Sequence, residues 1–413
     1  MGNSWGAEVR VAVISPFVDR KHGTERVLAE QLQRLSKLDR FRIELYSQAV
    51  DGLDLAELDL TDKAQSGCIV WHRISSISGP HLFQYLWWFL ANSVRRFVDR
   101  SLRGSTVCVT FSAGINAGDA DVIAVHIVFH AFYDRAIDQL RLRNAPVRTW
   151  PRRLHRRIYY RCIMALEERI YSNPRVRLVP VSHLVAKQLR EYFGRTDVRV
   201  IPNGVSTDQF HPPARIAHRE KARKEFELLP SDFVLLLIGN DWVKKGLRCL
   251  LRAMALCTDS SLRLLVVGKD DPAIFANEIA DSILKNSVRF LPPREDVLTY
   301  YAAADVYVGP SLEDAFGLPI LEAMACGLPV IASSFAGACE AIEDGANGLI
   351  LRAPENAVEL ASKIKLLVSD ERLRNSLGTA AAETARNYSW EQNAAALRDV
   401  LVEVAKRLAA EEK

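Results

Sequence analysis

Pro310-Ser311-Leu312-Glu313-Asp314-Ala315-Phe316-Gly317-Leu318-Pro319-Ile320-Leu321-Glu322-Ala323-Met324-Ala325-Cys326-Gly327-Leu328-Pro329-Val330 is the stretch whose reading decides the fold. It reads as a strand end, a loop, a helix, and a Gly-Leu-Pro turn into another strand. Gly317 lets the backbone approach a ligand closely, and Pro319 suits the first turn of a helix, where a missing N–H costs nothing. The free N–H groups at such a helix start suit a diphosphate. Asp314 lies in the loop and Glu322 about one turn into the helix. Both carboxylates can then flank a ligand resting on the helix N-terminus and accept hydrogen bonds from sugar hydroxyls. In a general α/β protein, a helix-capping acid and a solvent-facing glutamate are the plain alternative.

The same strand–helix rhythm extends outward in both directions. Upstream, Phe233–Ile238, Leu262–Val267, Val288–Leu291 and Val306–Val308 are short apolar runs of the kind buried in a parallel sheet, and Val330–Ala332 follows the quoted stretch. A first series precedes them: Val9–Ile14, Arg42–Tyr46, Cys68–Trp71, Val107–Thr110, Val122–His126 and Leu178–Val181, with helical stretches over Pro80–Leu102 and Val147–Ser172. This alternation predicts doubly wound parallel sheets. The chain has 413 residues, which favours two domains of roughly 200 residues each. Ile201-Pro202-Asn203-Gly204 is a turn signal and Pro212-Pro213 follows it, so an interdomain linker is expected over about Asn203–Ala214. The expected domains are 1–204 and 205–390, with a helix over 391–413 packing back on the first.

Composition excludes several classes. Hydrophobic residues make up 49% and charged residues 25%, values of an ordinary globular protein. No charged-then-apolar leader precedes Val11–Ile14, and the longest apolar stretch, Leu82–Ala91, is far shorter than the ~20 residues that span a bilayer. A cytoplasmic protein, not integral to a membrane, is the expectation. Seven cysteines show neither CxxC nor zinc spacing, which points to a reduced compartment and no metal site. Charge is divided unevenly: residues 1–200 hold 30 Lys/Arg against 20 Asp/Glu, and the rest 24 against 30. Eight arginines fall within Arg141–Arg161, interleaved with Trp150, Tyr159 and Tyr160. His81–Arg100 adds Phe83, Tyr85, Trp87, Trp88, Phe89, Phe97, Arg95 and Arg96. Such segments suit an anionic membrane surface, a phosphorylated acceptor or nucleic acid; solvated faces and buried core helices explain them equally.

An acid, seven residues and a glutamate around the core F-G-L-P-I-L-E-A-M-A-C-G-L-P-V resemble the signature of the family four retaining glycosyltransferases (glycosyl transferases group 1). Val181-Ser182, Ile201-Pro202-Asn203-Gly204-Val205, Val267-Gly268, Ala304-Asp305-Val306-Tyr307-Val308 and Ser389-Trp390-Glu391 match that family's landmarks in order. The first acid is normally Glu; here it is Asp314, with Glu313 beside it. The resemblance implies the GT-B fold, two Rossmann-like domains facing a central cleft, with the acceptor on the N-terminal domain and the nucleotide-sugar on the C-terminal one. It implies transfer of a sugar from a UDP- or GDP-sugar to a hydroxyl of a glycan, lipid-linked glycan or small molecule, as in polysaccharide biosynthesis. No metal or other cofactor is implied, and no nucleic-acid partner.

By the same resemblance, Asp314 and the backbone of Phe316, Gly317 and Leu318 meet the donor sugar and diphosphate, and Glu322 holds the ribose. Gly239-Asn240-Asp241-Trp242-Val243-Lys244-Lys245-Gly246 follows a strand; two ammoniums before a glycine suit the charge growing on a leaving diphosphate. Lys245 matches the family's lysine, Lys244 is a second charge, and Asn240 stands where the family often has Arg. Pro292 and Arg294 are the candidates for base recognition, and Glu340 is given a structural role. In the N-terminal half only Gly23 of the usual two glycines is kept, and with Thr24 it is expected to supply backbone contacts. A dinucleotide reading fails there for want of GxGxxG. His126 follows a strand at the sheet's ligand-facing edge and is the catalytic candidate beside Lys245 and Asp314, with His130 its competitor. A nucleotide-sugar epimerase of the same fold, and a non-enzymatic basic membrane- or nucleic-acid-binding protein, are the rival functions.

Overall fold

The computed structural model describes residues 9–20, 23–38, 41–51, 53, 58–59, 69–103, 108–136, 150–280 and 283–411. The chain divides into two compact units, Met1–Ile201 with Asn393–Lys413, and Pro202–Gln392.

In the first unit the strands are β1 (Val9–Ile14), β2 (Phe17–Val18), β3 (Phe41–Ser47), β4 (Ala49–Val50), β5 (Leu58–Asp59), β6 (Ile69–Arg73), β7 (Cys108–Ala113), β8 (Val122–Val125) and β9 (Arg177–Pro180). Seven form one parallel sheet in the order β5-β6-β3-β1-β7-β8-β9, while β2 and β4 pair separately. From β6 to β9 this is the doubly wound order, with its reversal between β1 and β7. The helices are α1 (Gly23–Leu35), α2 (His81–Arg103), α3 (Phe129–Ala136), α4 (Trp150–Tyr171) and α5 (His183–Phe193).

Side chains alternate across this sheet. Val11, Val13, Ile43, Leu45, Val109 and Phe111 enter a core with Leu28, Leu32 and Leu35 of α1. The opposite face is polar. Arg10 and Arg42 approach Glu44 at 3.5 and 3.8 Å, and Tyr46 stacks on His72. This face lies under α2, whose buried Asp99 accepts from the Tyr46 hydroxyl at 3.1 Å.

The second unit contains β10 (Phe233–Ile238), β11 (Leu262–Val267), β12 (Val288–Leu291), β13 (Val306–Gly309), β14 (Val330–Ser333) and β15 (Leu349–Leu351), all parallel in the order β12-β11-β10-β13-β14-β15. Again the order reverses beside the first strand, here between β10 and β13. Its helices are α6 (Pro212–Glu225), α7 (Leu247–Cys257), α8 (Ala276–Ala280), α9 (Leu298–Ala303), α10 (Leu318–Ala325), α11 (Ala357–Ser369) and α12 (Glu371–Ala385). Leu235 and Leu237 of β10 share a core with Leu264, Val306, Val308 and Ile331 of neighbouring strands and Leu250, Leu251 and Met254 of α7. The last helix, α13 (Trp390–Glu411), begins in the second unit and continues in the first, where Leu397, Val400, Leu401 and Val404 join the core.

Four strands keep the expected bounds, but the expected linker does not. Asn203 and Val205 are buried, Val205 N–H donates to the Tyr388 carbonyl at 2.8 Å, and Pro212-Pro213 open α6 under a cap from His211. Proline suits the first positions of a helix as well as a turn, so the dipeptide alone does not choose. Among the described residues no helix is long and apolar enough to cross a membrane.

Candidate active site

In an open α/β sheet, ligands bind beyond the C-terminal strand ends where the order reverses. In the second unit that place lies between the loop leaving β10 (239–246) and the loop leaving β13 (310–317). Gly246 has φ +75°, and a Cβ there would lie 1.9 Å from the Pro310 carbonyl oxygen, so no other residue lets the loops close to this distance. Leu312 N–H then donates to the Lys244 carbonyl at 2.7 Å. Lys245 runs back over Gly239, where a Cβ would lie 2.8 Å from the lysine Cε. The Lys245 ammonium donates to Oδ2 of Asp314, and both side chains are largely covered.

Asp314 is fixed through its backbone as well. Its N–H donates to the Phe335 carbonyl at 2.9 Å and its carbonyl accepts from Gly337 N–H at 3.0 Å. Ala338 N–H donates to the Phe316 carbonyl at 2.6 Å. Gly317 then starts α10 with no side-chain cap, so the helix N-terminus that suits an anion begins three residues after the carboxylate that holds Lys245.

Glu322 is buried in α10 and accepts from the Tyr301 hydroxyl of α9 at 2.6 Å. Burial, then the Glu322 charge, pushes the Tyr301 phenol well above its usual range. Tyr307 of β13 is raised too, by burial and then by Asp314 and Glu322. Both phenols therefore stay protonated, and Tyr307 lies within electrostatic reach of both carboxylates. Neither tyrosine was marked as functional by sequence; the signal lay in the Tyr300-Tyr301 pair and the Val-Tyr-Val strand.

The remaining candidates divide. Asn240 is exposed and its side-chain carbonyl accepts from Lys269 N–H at 3.1 Å. Lys244 pairs with Asp241 at 3.2 Å, while Lys245 reaches Asp314. Arg294 is bound to Glu225 at the end of α6 and lies over the rings of Phe226 and Tyr300, 5.5 and 5.8 Å from their centroids. The Pro292 carbonyl accepts from the Tyr300 hydroxyl. Thus the structure gives Pro292 and Arg294 partners on α6 and α9. Phe316 and Leu318 are buried. Among the described residues no group of three or more His, Cys, Asp or Glu could hold a metal ion.

In the first unit, Gly23 and Thr24 begin α1 beyond β1, and nothing lies within 4 Å of a Cβ built on Gly23. Lys21 and His22 lie outside the described residues, as do residues 141–149 of the basic segment. His126 follows β8. It is partly buried, and the loss of solvent around its ring pushes its pKa down to about 4. The imidazole is therefore neutral at pH 7. His130 is committed elsewhere: its Nδ1 is 2.6 Å from Oε2 of the buried Glu167, which also accepts from the N–H groups of Phe129 and His130 at the start of α3.

Two family models match the chain, Glycosyltransferase Family 4 over residues 21–209 and Glycosyl transferases group 1 over residues 218–384. The chain belongs to the family 4, group 1 glycosyltransferases. Lys245, Asp314 and Glu322 of this family 4 chain fall in the group 1 segment, and Gly23, Thr24, His126 and His130 in the other. The D-inositol 3-phosphate glycosyltransferase of Pseudarthrobacter chlorophenolicus is 34% identical over 230 residues, 53% of this chain and 54% of the relative. That of Corynebacterium jeikeium is 31% identical over 254 residues, 58% and 59% of the two. The family 4 chain thus spans little more than half the length of these curated relatives. Among solved structures, WaaG, a glycosyltransferase involved in lipopolysaccharide biosynthesis, has a TM-score of 0.74 at 18% identity, covering 95% of this chain and 99% of its own. Sucrose-phosphate synthase of Thermosynechococcus elongatus also scores 0.74, at 20% identity, covering 96% and 99%. HepE from Anabaena, solved with UDP-glucose, scores 0.67 at 20% identity, covering 98% and 100%. These likenesses make the fold of the family 4 chain GT-B.

Proposed function

We propose that this chain is a retaining glycosyltransferase that moves a sugar from a UDP- or GDP-sugar to a hydroxyl of a glycan or lipid-linked glycan. The observation that carries this reading is the Lys245–Asp314 pair at the strand-order reversal of the second unit, beside the N-terminus of α10. An ammonium has three donors, and one of them is given to Asp314. A diphosphate entering beside it takes the others, together with the N-terminal amides of α10. These groups are set before the reaction, so they stabilise the charge that develops as the bond from the anomeric carbon to the diphosphate breaks.

Asp314 then accepts from a sugar hydroxyl, and Glu322, anchored by Tyr301, from the ribose. In a retaining route without a protein nucleophile, the departing phosphate oxygen takes the acceptor's proton. The acceptor oxygen bonds to the anomeric carbon on the face that the phosphate leaves. Positioning supplies the rest of the rate. His126, neutral at working pH, serves as a hydrogen-bonding group for a sugar hydroxyl. No divalent cation is required, because Lys245 and α10 neutralise the diphosphate, so EDTA is expected to leave the rate unchanged. HepE was solved with UDP-glucose, which supports a nucleotide-sugar donor.

A thermal-shift screen of UDP, GDP, ADP and their sugar conjugates tests the reading. One nucleotide at a hundredfold excess over its Kd is expected to stabilise the protein by about 2.7 kcal/mol, and an acceptor screen with that donor to give a product of unchanged anomeric configuration by NMR. A folded protein indifferent to every nucleotide contradicts the transferase reading; an inverted product contradicts the retaining one.

A further inference from the structure

The strands β7 and β8 are parallel neighbours, yet only residues 114–121 join them. A parallel crossover ordinarily takes a dozen or more residues and carries a helix of its own. This one has none, and α2 covers it instead. Tyr85, Trp88, Phe89, Asn92, Arg96 and Arg100 follow one another at helical spacing, so they share one face of α2. Phe83, Leu90 and Phe97 of the same helix are left exposed. The Tyr85 hydroxyl donates to the Ile115 carbonyl at 2.5 Å, Trp88 Nε1 to the side-chain oxygen of Asn116 at 3.1 Å, and Asn92 to the Asn116 carbonyl at 3.2 Å. Further along, Arg96 makes a two-pronged pair with Asp119 at 2.7 and 2.7 Å, and Arg100 donates to the Thr110 hydroxyl at 2.5 Å. Phe89 lies beside Gly118, where a Cβ would come within 3.3 Å of its ring.

These bonds converge on Asn116. Its N–H reaches the Gly114 carbonyl and the Ser112 hydroxyl at 3.0 and 3.3 Å, and its side-chain amide donates to the Ala113 carbonyl at 2.5 Å. Both donors of Asn116 are thus used within the loop, and both acceptors are held by α2. The turn so fixed stands at the strand-order reversal of the first unit, where the loops leaving β1 and β7 flank a crevice. In the transferase reading, Lys245 and Asp314 commit the reversal of the second unit to the diphosphate, which leaves that of the first for the molecule that receives the sugar. We infer that α2 sets one wall of this acceptor crevice, with Tyr85, Trp88 and Asn92 as positioning residues that act through residues 114–116. This role rests on the transferase reading. Residues 112–118 carry no charged side chain, and Gly114 and Asn116 keep only part of their surface. The wall therefore selects by shape, where a shift of about 1 Å is enough to cost on the order of a hundredfold in rate. The occupant it fits is an uncharged, hydroxyl-bearing ring such as a hexose.

Tyr85→Phe and Trp88→Phe each delete one donor to the loop and keep an aromatic ring. Two rates of the full chain are measured with a UDP- or GDP-hexose: hydrolysis of the donor by water, and transfer to p-nitrophenyl hexosides. Both variants are expected to hydrolyse the donor like the wild type, to raise KM for the hexoside about tenfold, and to exchange the amides of residues 113–118 faster than the wild type. Tyr192→Phe, which deletes a bond to Asp134 of 2.7 Å between α5 and α3, is expected to change none of the three. An unchanged hexoside KM in both variants of an active enzyme overturns the inference alone, as does unchanged exchange over 113–118. Hydrolysis and transfer that fall in step leave α2 a role in the fold only and overturn it too. A folded wild type that binds no nucleotide and neither hydrolyses nor transfers overturns the transferase reading, and this role with it.

Discussion

Beyond β10 and β13 of the second unit, two loops are clamped by the Gly246–Pro310 approach and the Leu312–Lys244 hydrogen bond, and a lysine and an aspartate meet across them. Beyond β1 and β7 of the first unit, the strand order reverses in the same way but the chemistry differs. The loop after β1 turns to β3 through Ser15 N–H on the Tyr46 carbonyl, and the loop after β7 turns to β8 through Gly114 N–H on the Ala124 carbonyl. What this edge presents is a helix start with open space at Gly23 and, one strand over, a neutral histidine. Topology therefore fixes where a crevice opens, while charge and close backbone contacts fix what it takes. A clamped ion pair suits a diphosphate; a helix start with room at Gly23 and a neutral histidine one strand over suit hydroxyl groups.

The sharpest way to break this contrast is at the glycines. Gly246→Val forces a Cβ against backbone at positive φ and is expected to cost about 4 kcal/mol in urea denaturation. Gly23→Ala, with nothing to meet, is expected to cost less than about 1 kcal/mol. Equal costs would remove the clamp from the account. Next comes chemistry: Lys245→Ala is expected to lower kcat by about 10²–10³, on the scale of losing a preorganised donor to developing charge. The steady-state rate with the donor found by screening checks this.

A smaller effect tests the first unit. The folded His126 has a pKa near 4, below the ordinary 6.5, so the unfolded chain binds more protons between these values. Stability is then full above about pH 6.5 and is lost as pH falls toward 4, by about 3 kcal/mol from this residue. His126→Gln is expected to flatten that part of the pH–stability curve; an unchanged slope would show the ring to be solvated. Smallest is Tyr301→Phe, which deletes the donor to buried Glu322 and is expected to cost about 1–2 kcal/mol of stability. A weaker nucleotide response in the same variant would tie that bond to the site.

Much of this was legible in the residues. β10, β11 and β12 announce themselves as apolar runs bounded by turns, and Gly317 and Pro319 mark the start of α10. The Lys245–Asp314 meeting was also within reach, because both residues follow strands that the doubly wound order makes neighbours. Three features were not legible. Pro212-Pro213 read as linker because proline serves turns and helix starts alike. Arg294 was expected to recognise the base, and its contacts with Glu225 and Phe226 at the end of α6 and with Tyr300 of α9 could not be read from its own loop. The orientation of α2 was undecidable from its own sequence: an aromatic stripe is inward or outward according to what covers it, and that depended on Glu44, Tyr46 and His72 lining the sheet beneath.

The most direct test of the central claim is calorimetric binding of the nucleoside diphosphate found by screening to the wild type, Lys245→Ala and His126→Ala. If the clamped pair is the diphosphate site, Lys245→Ala lowers the affinity at least tenfold, about 1.4 kcal/mol, and His126→Ala leaves it unchanged. Equal affinity for wild type and Lys245→Ala would contradict the account.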